Sequence, residues 1–242
     1  GYEAGKAITT GNQNTLIGSL AGDALTSGTQ NVALGYNALN SDTLGTASVA
    51  LGRSALGAQN FTTATNAFNV AIGYTAGAAV TTGVSNTLIG ATAGDALTDA
   101  DDNVAVGVES LSSDTLGSRS IAIGRSALQN QNFTTATNTY NSAVGYAAGN
   151  AVTTGVRNTL IGAQAGDALT TGNNNTALGF NTLTTDTLGD RNVAIGSQAL
   201  QTQNFTTSVD SYNTAVGFNA GGVVTTGLQN TLIGGLAGDA LT

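Results

Sequence analysis

The chain has 242 residues and a net charge of −8, with 34 glycines and no Pro, Cys, His, Met or Trp. Without His and Cys, it lacks the usual zinc ligands, thiol nucleophiles and imidazole bases. The acidic balance argues against nucleic acid as a partner, and no apolar run has the length of a membrane span. We therefore expect no enzyme activity, no cofactor or metal, and no nucleic-acid or membrane-inserted partner.

A five-residue anchor recurs along the chain: Asn or Ser, a variable residue, Ala or Leu, an aliphatic residue and Gly. It ends at Gly18, Gly35, Gly52, Gly73, Gly90, Gly107, Gly124, Gly145, Gly162, Gly179, Gly196, Gly217 and Gly234. The spacings of 17, 17, 21 and 17 residues then repeat, so four units form a 72-residue superperiod. Each anchor predicts a short strand followed by a turn, and units this short leave no room for a helix.

The sequence therefore predicts an all-β fold, a parallel β-solenoid (β-roll or β-helix) of about fourteen coils. Pro cannot donate to a β-ladder, so uninterrupted ladders account for its absence. The repeat fills residues 1–242 with no atypical terminal unit, which predicts a single array cut from a longer fibre.

The third anchor position is always Ala or Leu and never polar. The residue after it is always Ile, Leu or Val and the residue before it is Thr, Val, Ile or Ser; because both are expected to face the core, this position is predicted to face outward. An apolar outer face indicates burial against another copy of the chain, most simply in a homotrimeric rod. The predicted inter-chain positions are Leu16, Ala33, Ala50, Ala71, Leu88, Ala105, Ala122, Ala143, Leu160, Ala177, Ala194, Ala215 and Leu232.

The 21-residue coil carries four extra residues at one place in each superperiod. Insertions at a fixed place in a solenoid map to one face, often the binding face. Phe61, Phe133 and Phe205 in these insertions are therefore candidate surface contacts. The alternative is a bulge whose aromatic ring covers the edge of the coil or the neighbouring chain.

Other repeated residues favour structural roles. The Asn that opens most anchors predicts a rung-to-rung hydrogen-bond ladder. Asp in the Gly-Asp-Ala-Leu-Thr and Asp-Thr-Leu-Gly segments predicts turn capping, because equivalent acids recur only every fourth coil and lie too far apart to share a calcium ion. Asp99, Asp101 and Asp102 form one acidic cluster, interpreted as a solvated loop. Thr-Thr-Gly recurs mainly once per superperiod, too sparsely for an ice-binding face.

The anchors at residues 48–52, 120–124 and 192–196 (Ser-Val-Ala-Leu-Gly, Ser-Ile-Ala-Ile-Gly and Asn-Val-Ala-Ile-Gly) resemble the head repeat of YadA-type trimeric autotransporter adhesins. Longer phrases, Gln-Asn-Phe-Thr-Thr-Ala-Thr-Asn at residues 131–138 and the segment 230–242, resemble repeats in fibre proteins of tailed phages of marine cyanobacteria. The resemblance implies an extended trimer, a left-handed β-roll in the YadA type, that holds a receptor-binding tip away from a surface.

From these observations we expect a structural function, the shaft of a phage tail fibre or similar virion appendage. The alternative is the adhesive head of a bacterial surface trimer that binds matrix or glycans. The expected location is the virion surface, or the bacterial cell surface in the alternative, and the expected partners are further copies of the chain and a host receptor or glycan.

Overall fold

The computed structural model describes all 242 residues and shows an all-β parallel solenoid of thirteen turns without a helix. The predicted fold is thus confirmed. The strands are β1 Thr15–Ile17, β2 Val32–Leu34, β3 Gly45–Thr46, β4 Val49–Leu51, β5 Thr65–Asn66, β6 Val70–Ile72, β7 Thr87–Ile89, β8 Val104–Val106, β9 Gly117–Ser118, β10 Ile121–Ile123, β11 Thr137–Asn138, β12 Ser142–Val144, β13 Thr159–Ile161, β14 Thr176–Leu178, β15 Gly189–Asp190, β16 Val193–Ile195, β17 Val209–Asp210, β18 Thr214–Val216 and β19 Thr231–Ile233.

The anchors form one thirteen-stranded sheet, and three short strand pairs accompany the 21-residue coils. The sheet order is β1-β2-β4-β6-β7-β8-β10-β12-β13-β14-β16-β18-β19, and the pairs are β3-β5, β9-β11 and β15-β17. Pairing is parallel and keeps equivalent repeat positions opposite each other, as with Leu16 opposite Ala33. The register is unchanged across the long coil, where Ala50 lies opposite Ala71, so the four extra residues leave the sheet undisturbed.

The chain is divided into two compact units. The first comprises Gly1–Arg119 and Phe133–Asn138, and the second comprises Ser120–Asn132 and Thr139–Thr242. The same coil structure occurs within each unit. The expectation that residues 1–242 are one array from a longer fibre stays a prediction.

The anchor Asn residues form the predicted hydrogen-bond ladder inside the coils. In the first unit, Asn31 is fully buried, and its Nδ2 donates to the Gly45 carbonyl at 2.9 Å. Its Oδ1 accepts from the Ser48 amide at 2.9 Å, and its own amide donates to Asn14 Oδ1 at 2.9 Å. Each Asn thus satisfies backbone groups that would otherwise be buried without partners.

Two positions of the coil fill the core, and a large residue at one of them accompanies a small residue at the other. Where the middle strand residue is Leu, the fourth residue after the anchor Gly is itself Gly in that coil and in the coil before. The space above Gly5 and Gly22 is filled by the Leu16 side chain, as a Cβ at either glycine would meet it. In the remaining coils the middle residue is Ala and the later position carries a buried Leu such as Leu39 or Leu56. The coil therefore stays filled without a change in diameter.

Candidate functional site

The residues predicted to pack between chains lie instead in the core of their own chain. Ala33, Ala50, Ala71, Leu88, Ala105, Ala122, Ala143, Leu160, Ala177, Ala194 and Ala215 are fully buried, and Leu16 and Leu232 in the end coils are partly buried. The predicted outward direction was wrong because side chains alternate along a strand. The buried anchor Asn lies two residues before this position, so both point inward. The anchor Asn and the Ala or Leu two residues later hardly vary in the sequence, and this shared constraint was the signal that both face inward.

The two residues that flank the buried position face outward. The one before the anchor Gly is always aliphatic, and the other is Val, Ile, Thr or Ser. Ile17, Leu34 and Ile72 of the first unit are each at least 36% exposed. Ile123, Ile161 and Leu178 of the second unit are exposed to a similar degree. No outward position of the thirteen anchor strands carries a charge. We call these outward positions the sheet face; in the single chain they leave a repeated apolar surface open to water.

A column of aromatic and basic residues borders one edge of the sheet face. It consists of the residue that directly follows each anchor Gly, and we call it the post-glycine rim. Its members include Tyr2, Tyr36, Arg53, Tyr74, Arg125, Tyr146, Phe180 and Phe218. All six of these aromatic side chains are at least 48% exposed. Aromatic residues of a single soluble chain are more commonly buried, so their outward placement requires an explanation.

Arg53 shows how the post-glycine rim is organised. Its guanidinium carbon lies 6.0 Å from the ring centroid of Tyr36 and 5.6 Å from that of Tyr74, in the coils on either side. Its Nη1 lies 3.5 Å from the Tyr74 hydroxyl. These are cation–π distances, and they hold the guanidinium over two aromatic faces at the surface.

A second column borders the other edge. It consists of the residue before each anchor Asn or Ser, and we call it the pre-strand rim. It contains the remaining exposed aromatics, Phe68, Tyr140 and Tyr212, and three arginines, Arg119, Arg157 and Arg191. The two rims together therefore hold all five arginines of the chain, and their only acid is Asp102.

Two arginines of the pre-strand rim already pair with acids of their own chain. Arg191 Nε donates to Asp210 Oδ1 at 2.6 Å, and the guanidinium lies 5.6 Å from the centroid of Tyr212. This hydrogen bond raises the pKa of Arg191. Arg119 lies 3.5 Å from Asp102. No ion pair within the chain involves Arg53, Arg125 or Arg157.

The Phe residues of the insertions are not surface contacts. Phe61, Phe133 and Phe205 are 5–7% exposed, which contradicts that prediction. In the first insertion Phe61 is buried, while the neighbouring Thr62, Thr63 and Ala64 are exposed. The alternative interpretation, a bulge whose ring covers the coil, is the one that fits.

A buried polar cluster holds each insertion in place. In the first superperiod, Gln59 Nε2 donates to Asp42 Oδ2 at 2.6 Å and to Ser48 Oγ at 2.9 Å. The other oxygen of Asp42 accepts from the amides of Gly45 and Phe61 at 3.0 and 3.2 Å. Asp42 thus caps its turn as predicted and also ties down the next coil. The sequence alone did not reveal the role of Gln59, because its partners belong to other coils.

The same cluster recurs in the second unit, where Gln203 Nε2 donates to Asp186 Oδ2 at 2.6 Å. Burial raises the pKa of Asp186, although hydrogen bonds from Gln203 and from the amides of Phe205 and Gly189 act against that increase. The carboxyl lies in the interior with donors on both oxygens, an arrangement that holds a loop and leaves no approach for a substrate.

A second group of acids lies on the turn that follows the sheet. We call residues two to six after each anchor Gly the turn arm; in one coil it spans residues 20–24. Its charged residues are Glu3, Lys6, Asp23, Asp95, Glu109, Asp167 and Asp239. Lys6 pairs with Glu3 at 2.7 Å, whereas no ion pair involves Asp23, Asp95 or Asp167. Burial raises the pKa of both Asp95 and Asp167.

The acidic residues do not assemble into an evident metal centre. No three of them come together as a group that could hold a metal ion. Asp99 and Asp101 bind Thr82 and the Val84 amide of the neighbouring coil, and Asp102 pairs with Arg119. Oδ1 of Asp23 and Oδ1 of Asp167 are buried without a hydrogen-bond partner.

Comparisons with protein-family models, curated proteins and solved structures found no match for this chain. The structure contains no helix with the length and apolar character needed to cross a membrane. The candidate functional site is therefore defined by its own geometry: an uncharged apolar sheet face between two rims of aromatic residues and arginines.

Proposed function

We propose that the chain has a structural function, as part of the shaft of a phage tail fibre or similar virion appendage that positions a host-receptor-binding tip. In this proposal its copies associate, most simply as a homotrimer, and the assembly lies on the virion surface. The sequence resemblance to phage fibre repeats and to YadA-type heads supports this assignment.

The observation that carries the proposal is the exposed sheet face. Apolar residues that recur on every coil expose more apolar surface than scattered single residues do, and such surfaces mark interaction sites. The rims add Tyr, Phe and Arg, the residue types enriched in protein interfaces. In this proposal Ile17, Leu34 and their equivalents make the contact between copies, and the buried alanines do not.

Sedimentation velocity of the purified chain over a range of concentrations tests this function, with electron microscopy of the same sample. We expect one discrete oligomer with elongated particles. Replacing Ile72, Ile123 and Ile161 by Thr, which favours strands but is more polar, should shift the population to monomers with unchanged β-structure by circular dichroism. A wild-type chain that remains monomeric at every concentration would contradict the proposal.

The rims also favour the second candidate, the adhesive head of a bacterial surface trimer. Aromatic rings beside a guanidinium, as at Tyr36, Arg53 and Tyr74, can stack on sugar rings and bind acidic groups. Binding of the oligomer to a glycan array and to immobilised matrix proteins tests it. Signal that is lost in Tyr36→Ala and Tyr74→Ala variants would favour the adhesin over the passive shaft.

A further inference from the structure

The charged residues of the chain are separated between two surfaces. The sheet face and its rims hold five arginines and a single acid, Asp102. The turn arm holds six acids and one lysine, and that lysine is paired with Glu3. A chain with a net charge of −8 thus presents one basic, aromatic and apolar surface and one acidic surface.

The charges without an ion-pair partner are complementary between these surfaces. Arg53 and Arg125 of the post-glycine rim form no ion pair within the chain, and neither do Asp23, Asp95 and Asp167 of the turn arm. Arg53 already lies between two exposed tyrosine rings, so its guanidinium is held at the surface at little further entropic cost.

Both sets also recur with the same period. Arg53 and Arg125 are 72 residues apart, and Asp23, Asp95 and Asp167 are separated by the same 72 residues. Within the first unit, four coils separate Asp23 from Asp95, about 19 Å at the usual strand spacing. If two copies run parallel, the shared period allows the acid that meets Arg53 and the acid that meets Arg125 to occupy equivalent places in the repeat.

We propose that the sheet face and post-glycine rim of one copy pack against the turn arm of the next copy, with Arg53 and Arg125 facing acids of the Asp23, Asp95 and Asp167 set. This inference rests on the proposed association of copies and specifies how they meet. The contact is heterologous, because two different surfaces of each chain meet in it.

A face-to-face arrangement fits the charges less well. It would place the rims of two copies together and bring arginines against arginines. The two rims of each copy contain only one acid, Asp102, to offset that charge. Like charges at an interface are costly and disfavour that arrangement. A heterologous contact also leaves each copy with a free turn arm or face, so the contacts continue from copy to copy; they close into a ring such as a trimer when the rotation between copies closes.

The decisive experiment is charge reversal on the turn arm, measured by sedimentation velocity. Asp95→Lys should weaken self-association by at least about tenfold, because it places a cation against the arginine rim. Asp99→Lys is the matched control, since it makes the same change of charge on an exposed acid outside the turn arm and should leave association unchanged. Circular dichroism verifies folding, and Asp95→Asn, with a smaller loss, replaces the lysine variant if that variant fails to fold.

A rescue experiment follows from the same geometry. A chain with Asp23, Asp95 and Asp167 changed to Lys should not assemble by itself. A chain with Arg53→Glu and Arg125→Glu should also fail, and mixing the two should produce complexes of one copy of each, because a three-membered ring of the two variants would retain one like-charge contact. Restored association only in the mixture supports a contact between the post-glycine rim and the turn arm.

Two outcomes would overturn the inference in distinguishable ways. If the triple lysine chain assembles like wild type, the turn arm is not in the contact, and the copies associate by another surface while the proposed structural function survives. If the wild type is monomeric but is retained on sulfated dextran through Arg53, the rim is an anion-binding surface, and both the inference and the proposed association are wrong.

Discussion

The inward and outward sides of the same thirteen strands obey different rules. The inward side repeats Asn and Ala or Leu almost without variation. Each Asn there must hydrogen-bond backbone groups of the next coil, and each Ala or Leu must fill its own coil. On the outward side the residue before each anchor Gly is always aliphatic, the residue two positions earlier varies between Val, Ile, Thr and Ser, and the rims vary from Ser to Tyr to Arg. The fold therefore depends on the inner positions, whereas the outer positions are free to vary and set the surface that the chain presents.

The largest effect is expected where a side chain would enter the stack between coils. Gly52 has φ near +134°, and a Cβ there would overlap the carbonyl group of Gly73 in the next coil. Gly52→Ala should lower the free energy of unfolding by about 4 kcal/mol, from backbone strain and overlap together. Urea denaturation followed by circular dichroism measures it.

Gly57→Ala is the control for that variant. Gly57 lacks the positive φ, and the nearest atom to an added Cβ is the Ser54 carbonyl oxygen at 3.2 Å. Its free energy of unfolding should change by less than about 1 kcal/mol. Equal losses in the two variants would show that the anchor glycine is not required by coil stacking.

The next effect concerns the Asn ladder. Asn158 is fully buried; its Nδ2 donates to the Gly172 carbonyl at 2.8 Å and its Oδ1 accepts from the Asn175 amide at 3.0 Å. Asn158→Ala leaves both backbone groups without partners and should cost about 3 kcal/mol. Thr159→Ala, on the adjacent outward position, should cost less than about 0.5 kcal/mol by the same denaturation assay. A smaller loss at Asn158 than at Thr159 would reverse the assignment of the two sides.

A smaller effect should appear as a pH dependence from the buried cluster. Because burial raises the folded-state pKa of Asp186 above its unfolded value, the native state binds the proton more readily than the unfolded state. This group alone therefore makes the fold more stable as pH falls from above the raised pKa towards the unfolded value.

The measurement is the difference in unfolding free energy between wild type and Asp186→Asn. It should shift in favour of wild type on going from neutral pH towards the ordinary carboxyl range. The variant serves as the reference because Asn does not titrate. A difference that is constant, or that shifts the other way, would contradict the raised pKa.

The smallest effect on stability is expected at the post-glycine rim. Arg53→Ala removes an exposed cation–π contact with Tyr36 and Tyr74, which is worth about 0.5 kcal/mol. Thermal unfolding of a dilute sample should hardly change, whereas self-association should weaken. Loss of the fold in this variant would mean that the rim is part of the scaffold.

The sequence predicted the fold well and the direction of its side chains poorly. The 17- and 21-residue spacings sufficed for parallel coils, because only stacked strands fit so short a repeat. The assumption that the larger aliphatics fill the core failed because the coil interior is already occupied. Leu39, Leu56 and similar residues of the turn arm fill it, and only Ala fits beside them.

The burial of Phe61 and the role of Gln59 were not predictable from local pattern. Both depend on the way an insertion folds onto the neighbouring coil, where Gln59 meets Asp42 from 17 residues earlier. The rims were visible as aromatic positions after the anchor glycines, yet their significance required the direction of the strand, which the structure supplied.

The most direct test of the two-sided strand uses single cysteines, since the chain has none of its own. Ala122 is fully buried and the adjacent Ile123 is 38% exposed. The reaction rate of each variant, Ala122→Cys and Ile123→Cys, with a soluble thiol reagent is measured from dilute to concentrated protein. We predict slow reaction of Ala122→Cys at every concentration, and reaction of Ile123→Cys that is fast when dilute and slows as copies cover the sheet face. Fast reaction of Ala122→Cys, or an Ile123→Cys rate independent of concentration, would contradict the account.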